Sequence, residues 1–501
     1  MAEGDPEKAS GRIPLRLAAA ALLAGPAVLS FFSGGYGDKA QLLGLAAALC
    51  ALGTLAVVAP WPLVSRGPAL TAIAALYGLA LWSGLSIHWS RIQNLAANEA
   101  AQLALYASVF AATAVAVRDP RVRRLLPGAL LAGVAIVALY ALAGRLLADL
   151  VPTGVSLRAG SRIQQPLTYW NALGLLVAFG ILLGAAVASD PRPPRAVRAA
   201  ACAAAVPCAL VLYLTFSRGS LVALAAGFVA LVLVASRRST VLAGALVLGA
   251  AGALGLLLQA LPAVLELEDG ASTQTAQGAV LLLALLVVTA GVGAAFARLA
   301  RSGSIDTPLG LSSRARRVIA LATVAAVVGL GWLIVAASEK TDPLPTSKGR
   351  LTKLSTNRGE YWKVALDSFA AHPVIGVGAG SFGVEWRRDR ESDDFAQDAH
   401  SLYLETLAEL GLVGAVLLAA LIAAAVRAVT VPARDPGDGL APAAAACLAA
   451  LLVHVGLDWT WEFPSVVLVA LILVAAAATA GRRAPIHRRT GDGRRPPGIP
   501  A

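Results

Sequence analysis

Long apolar runs constrain this chain more than any other feature of its sequence. The 501 residues contain about fourteen stretches near the roughly 20 residues that a helix needs to cross a hydrocarbon core. Hydrophobic residues make up 58% of the chain and the mean hydropathy is +0.73, too apolar for a water-exposed surface. Because the runs are continuously apolar rather than alternating, helices are favoured over membrane-barrel strands. The sequence therefore predicts an all-α, polytopic integral membrane protein.

We expect about 12–14 transmembrane helices by this length criterion. The predicted spans are 14–32, 41–59, 69–87, 101–117, 125–146, 169–188, 199–216, 220–235, 240–262, 278–300, 318–337, 409–427, 441–457 and 464–481. The corresponding divisions are a tail (1–13), a first transmembrane bundle of about 11 helices (14–337), a long loop (338–408), C-terminal transmembrane helices (409–481) and a basic tail (482–501).

The basic residues predict the orientation of these spans. Most of the 41 Lys and Arg residues fall in alternate connecting segments, which the positive-inside rule assigns to the cytoplasm together with both termini. The net charge of +12 is therefore explained by topology and by contact with anionic membrane lipids, and we expect no nucleic-acid partner. All four cysteines fall within predicted spans, which suggests neither a disulfide framework nor a thiolate metal site.

The long loop 338–408 differs from the other connections, because it carries Trp, Tyr, His and dense charge. Asn357, followed three residues later by Glu360, predicts a helix start with a capping box. Arg358 then falls in the first turn, where unpaired N–H groups and partial positive charge favour an anion. We expect this helix to stop at His372, before a proline. The pattern predicts a phosphate-binding site at Arg358.

The run GVGAGSF follows this helix at residues 376–382. Gly376, Gly378 and Gly380 alternate, and glycine permits a tight turn or a close backbone approach to a ligand. Both interpretations remain open for these three residues.

A second loop helix is predicted from Asp398, a plausible N-cap, to Gly411, a plausible C-cap. His400 then falls in its first turn, where the helix dipole disfavours the imidazolium and favours a neutral general base. The alternative is a structural histidine that is satisfied by hydrogen bonds at the membrane surface.

The loop carries the strongest family resemblance. The run NRGEYWKVALDSFAAHPVIGVGAGSF, followed by AHSLYLETLAELGLVG, resembles the signature region of the O-antigen ligase and O-antigen polymerase superfamily of bacterial membrane glycosyltransferases. The match covers about residues 356–415, with weaker similarity at SRIQQPLTYWNALG, FSRGSLVAL and HVGLDWTWEFP. The position after His400 is commonly Asn in the family but is Ser401 here.

The resemblance implies a C-type glycosyltransferase architecture in the bacterial cytoplasmic membrane, with the active site on the extracytoplasmic face. The donor would be a glycan on undecaprenyl diphosphate, and the acceptor a hydroxyl of a glycan, glycolipid or protein. Neither a metal nor a cofactor would take part. Ligase and polymerase share this signature, so the resemblance leaves the two open.

The family's functional residues fall on three positions of this sequence. Its arginine in the turn after the seventh span falls on Arg218, its loop arginine on Arg358, and its loop histidine on His400. Two guanidinium groups would bind and stabilise the leaving diphosphate, while the imidazole would take the acceptor's proton in a direct, inverting displacement.

Three further residues are weaker candidates for substrate binding. Arg158, Arg162 and Asn171 lie in or just after the outside loop that precedes the sixth span, and could hold glycan or phosphate. A surface role is the alternative for the two arginines. His454 and Asp458 are four residues apart and could pair on one helix face, which favours a structural role.

Two other classes of function remain as alternatives. A flippase or transporter of lipid-linked glycans would use the same substrate without bond chemistry, but the sequence shows neither a clear internal repeat nor ionisable residues at mid-span. A noncatalytic envelope scaffold or sensor would not need two arginines and a histidine at the outer face.

Overall fold

The structure is a computed structural model. It describes residues 12–59, 64, 67–152, 156, 158–267, 270–336, 358–430 and 440–479. The predicted cap Asn357, both predicted terminal tails almost entirely, and the first part of the long loop lie outside these residues.

The described residues form α-helices joined by turns and short 3-10 helices. The α-helices are α1 (Arg12–Ser30), α2 (Asp38–Val58), α3 (Pro68–Leu85), α4 (Gln93–Ala116), α5 (Pro120–Leu146), α6 (Trp170–Ser189), α7 (Arg195–Leu214), α8 (Arg218–Ala235), α9 (Arg238–Leu258), α10 (Pro262–Leu265), α11 (Gly270–Leu299), α12 (Ser313–Ala336), α13 (Arg358–Ala371), α14 (Phe382–Asp389), α15 (Leu402–Thr430), α16 (Leu440–Val455) and α17 (Pro464–Ala478).

Ten of the described helices are long and apolar enough to cross a membrane, namely α2 to α9, α11 and α15. Three shorter apolar helices, within α1 and at α16 and α17, coincide with further predicted spans, and α12 coincides with the span predicted at 318–337. Each predicted span therefore falls on a helix. The prediction of an all-α, polytopic membrane protein is confirmed.

The helices differ in how much of their surface is covered by protein. The apolar stretch of α6 is completely buried, whereas only 22% of the corresponding stretch is buried in α2 and in α11. Since α2 and α11 are as apolar as α6, their uncovered faces suit lipid rather than water. The fold thus has a protein-packed centre around α6 and a lipid-compatible periphery.

One end of the bundle gathers the connections that were predicted to lie outside. There Arg358 forms an ion pair with Asp458. Ser90 Oγ donates a hydrogen bond to the Ala379 carbonyl, and the amide of Ile163 donates one to the carbonyl of Leu214 at the end of α7. We call this the site end. At the opposite end Arg198 pairs with Asp306, as expected if the chain crosses back and forth.

The loop segment 358–401 is packed against α15. The glycine run meets α15 around Glu409, and α15 itself bends at Gly411, whose backbone is left-handed (φ 62°). The second loop helix and the next span, predicted as separate helices that meet at Gly411, are two helical segments of α15 on either side of a kink at that residue. The predicted break at Gly411 is confirmed.

Candidate active site

Asp458 lies at the centre of a buried polar cluster at the site end, in the connection between α16 and α17. Its side chain accepts hydrogen bonds from Tyr169 Oη (3.0 Å to both oxygens), Asn171 Nδ2 (2.7 Å) and Thr460 Oγ1 (3.0 Å). Arg358 Nη2 forms an ion pair with the same carboxylate at 3.0 Å. Because Asp458 is only 1% exposed, these donors supply the compensation that a buried charge requires.

The electrostatics of this cluster keep Asp458 ionised. Burial by itself raises the pKa of the carboxyl, but His454, Arg358 and His400, together with the Tyr169 hydroxyl, hold the pKa below its ordinary value. An ionised Asp458 in turn fixes the guanidinium of Arg358. We call Asp458 and its four donors the Asp458 cluster.

Arg358 is the first residue of α13, as predicted, and its side chain is 17% exposed. The predicted capping box involves Asn357, which lies outside the described residues. The Glu360 carboxylate accepts hydrogen bonds from the Glu391 and Ser392 amides and from the Ser392 hydroxyl. It thereby fastens the loop to α13. Arg358 is thus held on one side by Asp458 while part of its side chain remains accessible.

His400 lies beside this arginine rather than in a helix. The prediction that it occupies the first turn is wrong, because α15 begins at Leu402 and His400 has a left-handed backbone (φ 54°). Its ring lies 5.2 Å, centroid to centroid, from the ring of Tyr361, which is one turn after Arg358 in α13. Sequence reasoning failed here because a positive φ is uncommon at a non-glycine residue and the local sequence favours a helix.

The tautomer of His400 follows from its hydrogen bond. Nδ1 lies 3.0 Å from the backbone oxygen of Asp398, and a carbonyl can only accept, so Nδ1 carries the proton. The Nε2 atom of the neutral ring is then the basic one. Burial lowers the pKa of His400, opposed by Asp458 and assisted by Arg358. The neutral base is therefore retained for a different reason than the predicted helix dipole.

Arg218 is the first residue of α8, immediately after its N-cap Ser217. Two residues later, Ser220 Oγ lies 3.1 Å from Nε2 of His454. His454 Nδ1 lies 3.0 Å from Thr460 Oγ1, which donates to Asp458. A continuous chain of hydrogen bonds thus joins the start of α8 to the Asp458 cluster, so the structure brings the segments of Arg218, Arg358 and His400 to one region.

The weaker candidates separate into two groups. Asn171 belongs to the Asp458 cluster. Arg162 is 5% exposed, donates to the carbonyls of Ala159 (2.7 Å) and Arg158, and stacks over Trp170 with 3.6 Å between its Cζ and the ring centroid. These contacts hold the loop itself in shape. The side chain of Arg158 is exposed.

The three glycines of the run all have left-handed backbones, with φ of 69°, 94° and 69°. A Cβ on Gly376 would lie 2.3 Å from the Glu409 backbone, one on Gly378 2.4 Å from Ser90 Cα, and one on Gly380 2.3 Å from Leu95 Cβ. The amides of Gly380 and Phe382 donate to the Glu409 carboxylate. The run thus makes a close backbone contact with protein; its contact with substrate stays a prediction.

A family model described as O-antigen ligase matches residues 272–419, from the start of α11 into α15. No curated protein matches the chain significantly. The resemblance predicted from the loop motifs is confirmed, and the match supports an O-antigen ligase-type function in the membrane. The matched segment includes Arg358 and His400 but ends before Asp458.

Proposed function

Because the segment that resembles O-antigen ligases carries both Arg358 and His400, we propose that this protein is a membrane glycosyltransferase. It transfers a glycan from undecaprenyl diphosphate to an acceptor hydroxyl on the extracytoplasmic face of the bacterial cytoplasmic membrane. Both termini would then lie in the cytoplasm. The observation that carries the proposal is the pairing of a fixed, partly accessible guanidinium with a histidine whose Nε2 is the unprotonated nitrogen.

In the proposed reaction Arg358 binds the diphosphate through charge-assisted hydrogen bonds, and Arg218 approaches it from the start of α8. His400 Nε2 takes the proton of the acceptor hydroxyl as that oxygen bonds to the anomeric carbon. The bond from this carbon to the phosphate oxygen breaks at the same time, and the diphosphate leaves with its electron pair. Attack opposite the leaving group inverts the anomeric centre.

The catalytic group and its partners have separate functions in this scheme. Arg358 and Arg218 stabilise the charge that grows on the leaving oxygen, which is the largest contribution that fixed donors usually make. Asp458 touches no reacting atom; it positions Arg358 and is a positioning residue. The proposal leaves the length of the transferred glycan, and hence ligase or polymerase, to the analysis of products.

The test is complementation of a strain that lacks the corresponding gene, with Arg358→Ala, His400→Ala and the control Lys363→Ala. Lys363 lies on α13 like Arg358, but it is exposed and pairs with Glu391 on the surface. We expect the first two variants to accumulate undischarged donor lipid in the outer leaflet at normal protein levels, and the control to discharge it.

Two outcomes would contradict the proposal. Donor trapped in the inner leaflet would indicate a flippase, and full discharge by both variants would remove Arg358 and His400 from the chemistry. The length distribution of products on a gel separates transfer of one preformed chain from a ladder of repeats.

A further inference from the structure

A second polar region lies at the site end, beside the Asp458 cluster. It is an open cavity of about 160 Å³ between the starts of α2 and α4, the glycine run and the α16–α17 connection. We call it the carboxylate–amide cavity and define it by residues that come from separate segments. They are Gln41, Glu99, Gln102, Asp398, Glu409 and Glu462.

The floor of the cavity is preorganised. Gln41 is 5% exposed, Gln102 2% and Glu409 3%, whereas Gln397 at the rim is exposed. Gln41 Nε2 donates to Gln102 Oε1 at 2.7 Å, and Gln102 Nε2 donates to the Trp461 carbonyl at 3.1 Å. The two amides are therefore fixed by their own hydrogen bonds before any ligand arrives.

Two acceptors of this cavity remain unused. Among the described residues, Oε1 of the buried Gln41 receives no hydrogen bond, and the Glu99 carboxylate takes part in neither a hydrogen bond nor an ion pair. Both acceptors line the cavity, so they suit a ligand that supplies O–H or N–H groups.

The acidic side chains of the cavity oppose one another's ionisation, whereas the Asp458 carboxylate is held ionised by its donors. Burial raises the pKa of Asp398, and the neighbouring Glu462 and Glu409 raise it further; burial also raises the pKa of Glu462 to about 7. The described carboxylates do not converge in a way that could hold a metal ion. The amides and carboxyl groups that line this space offer donors and acceptors that match the hydroxyl groups of a sugar.

The cavity adjoins the proposed base. The side chain of Asp398 lines it, while the backbone oxygen of the same residue accepts from His400 Nδ1. Tyr36 at its rim lies 5.4 Å from the ring of Trp459, which in turn lies 6.3 Å from the His400 ring. A chain of sugar units in the cavity would therefore end near His400.

We propose that the carboxylate–amide cavity binds the acceptor as a neutral or amino-bearing oligosaccharide and disfavours an anionic one. This inference rests on the proposed function, because it places the acceptor opposite the donor diphosphate across His400. Sugar hydroxyl or ammonium groups donate to Gln41 Oε1 and Glu99. An ammonium group favours the ionised form of the neighbouring acids, whereas a uronate group would add a further negative charge beside them.

The experiment measures oligosaccharide binding to the full-length protein in lipid nanodiscs by saturation-transfer NMR. The probes are chitotriose (cationic), triacetylchitotriose (neutral) and trigalacturonate (anionic). We expect the first two to bind and the third to bind at least about tenfold more weakly. Glu99→Gln and Gln41→Leu should weaken chitotriose binding about tenfold or more, since the first replaces a carboxylate oxygen with a donor and the second removes the amide acceptor.

Two further variants keep the outcome interpretable. Gln397→Arg adds a cation at the exposed rim, where folding is not at stake, and should also weaken chitotriose. Asp149→Asn changes an exposed carboxylate at the same end, outside the cavity, and should leave binding unchanged. Thermal unfolding in the same nanodiscs checks that each variant is folded.

The result that overturns the inference is binding of none of the probes, preferential binding of trigalacturonate, or chitotriose binding that ignores all three cavity variants. Geranyl diphosphate, added to the same samples, tests the proposed function separately. Its binding should be lost in Arg358→Ala and kept in Glu99→Gln. If Arg358→Ala keeps it, the proposed function fails whatever the oligosaccharides do.

Discussion

The Asp458 cluster and the carboxylate–amide cavity lie at the same end of the bundle but treat charge in opposite ways. In the cluster one buried carboxylate receives four donors, so its charge is neutralised within the protein. In the cavity Glu99 and Gln41 Oε1 receive none among the described residues. Compensated groups fix a geometry, whereas unpaired groups at the wall of a cavity can pair with a ligand. The two regions should therefore respond differently to substitution.

The largest effect is expected at His400. His400→Ala removes the proposed general base and should lower the transfer rate about 10²–10⁴-fold in proteoliposomes with a lipid-diphosphate-linked donor. His372→Ala, an exposed histidine at the end of α13, is the matched control and should retain the rate. A His400→Ala enzyme within threefold of the wild-type rate would contradict the general-base assignment.

The next effect tests whether Asp458 acts through Arg358. Asp458→Asn keeps the shape of the side chain but removes its charge, and should lower the rate about 10–100-fold, because the guanidinium loses its anchor. Arg358→Ala alone should cost about 10²–10³-fold. We expect the increase in activation free energy of the double variant to be much smaller than the sum of the increases in the two single variants. Additive losses would show that Asp458 has a separate function.

A smaller effect, on binding alone, is expected from the cavity. Glu99→Gln should raise the KM for the acceptor about tenfold and leave kcat and the KM for the donor near their wild-type values, since the lost hydrogen bonds form in both the bound and transition states. Steady-state kinetics with each substrate varied in turn measure this split. A fall in kcat with KM unchanged would move Glu99 from acceptor binding to the chemical step.

The features of the site that depend on neighbouring residues could be predicted from the sequence. The contacts between residues that lie far apart along the chain were missed. Arg358 at a helix start followed from residues three apart, and the spans followed from the length of apolar runs. The pairing of Arg358 with Asp458 joins residues a hundred positions apart and has no local signal. The four-residue spacing of His454 and Asp458 in the sequence was the only indication, and it favoured a structural role.

The carboxylate–amide cavity was beyond sequence reasoning for the same reason. Its polar residues come from the starts of α2 and α4, the long loop, α15 and the α16–α17 connection, and each of them alone resembles an ordinary polar residue near a membrane surface. The left-handed turn at His400 was missed as well, since local propensity favours a helix in AHSLYLETLAEL and the break depends on tertiary contacts.

The smallest expected effect near neutral pH is a change in the pH profile of the transfer rate. This profile connects the Asp458 cluster with the carboxylate–amide cavity. Protonated His400 cannot accept a proton, so activity falls at pH values below its pKa, by about tenfold per unit. Since burial lowers this pKa, the inflection of kcat should lie at a lower pH than the ordinary histidine pKa of about 6.5. Asp458 raises the pKa and Arg358 lowers it. Asp458→Asn should therefore move the inflection to lower pH, and Arg358→Gln should move it to higher pH. Glu99→Gln should leave the inflection nearly unchanged, because the Glu99 carboxylate is not among the groups that shift the pKa of His400. An inflection above pH 7, or shifts of the opposite sign, would separate His400 from the Asp458 cluster.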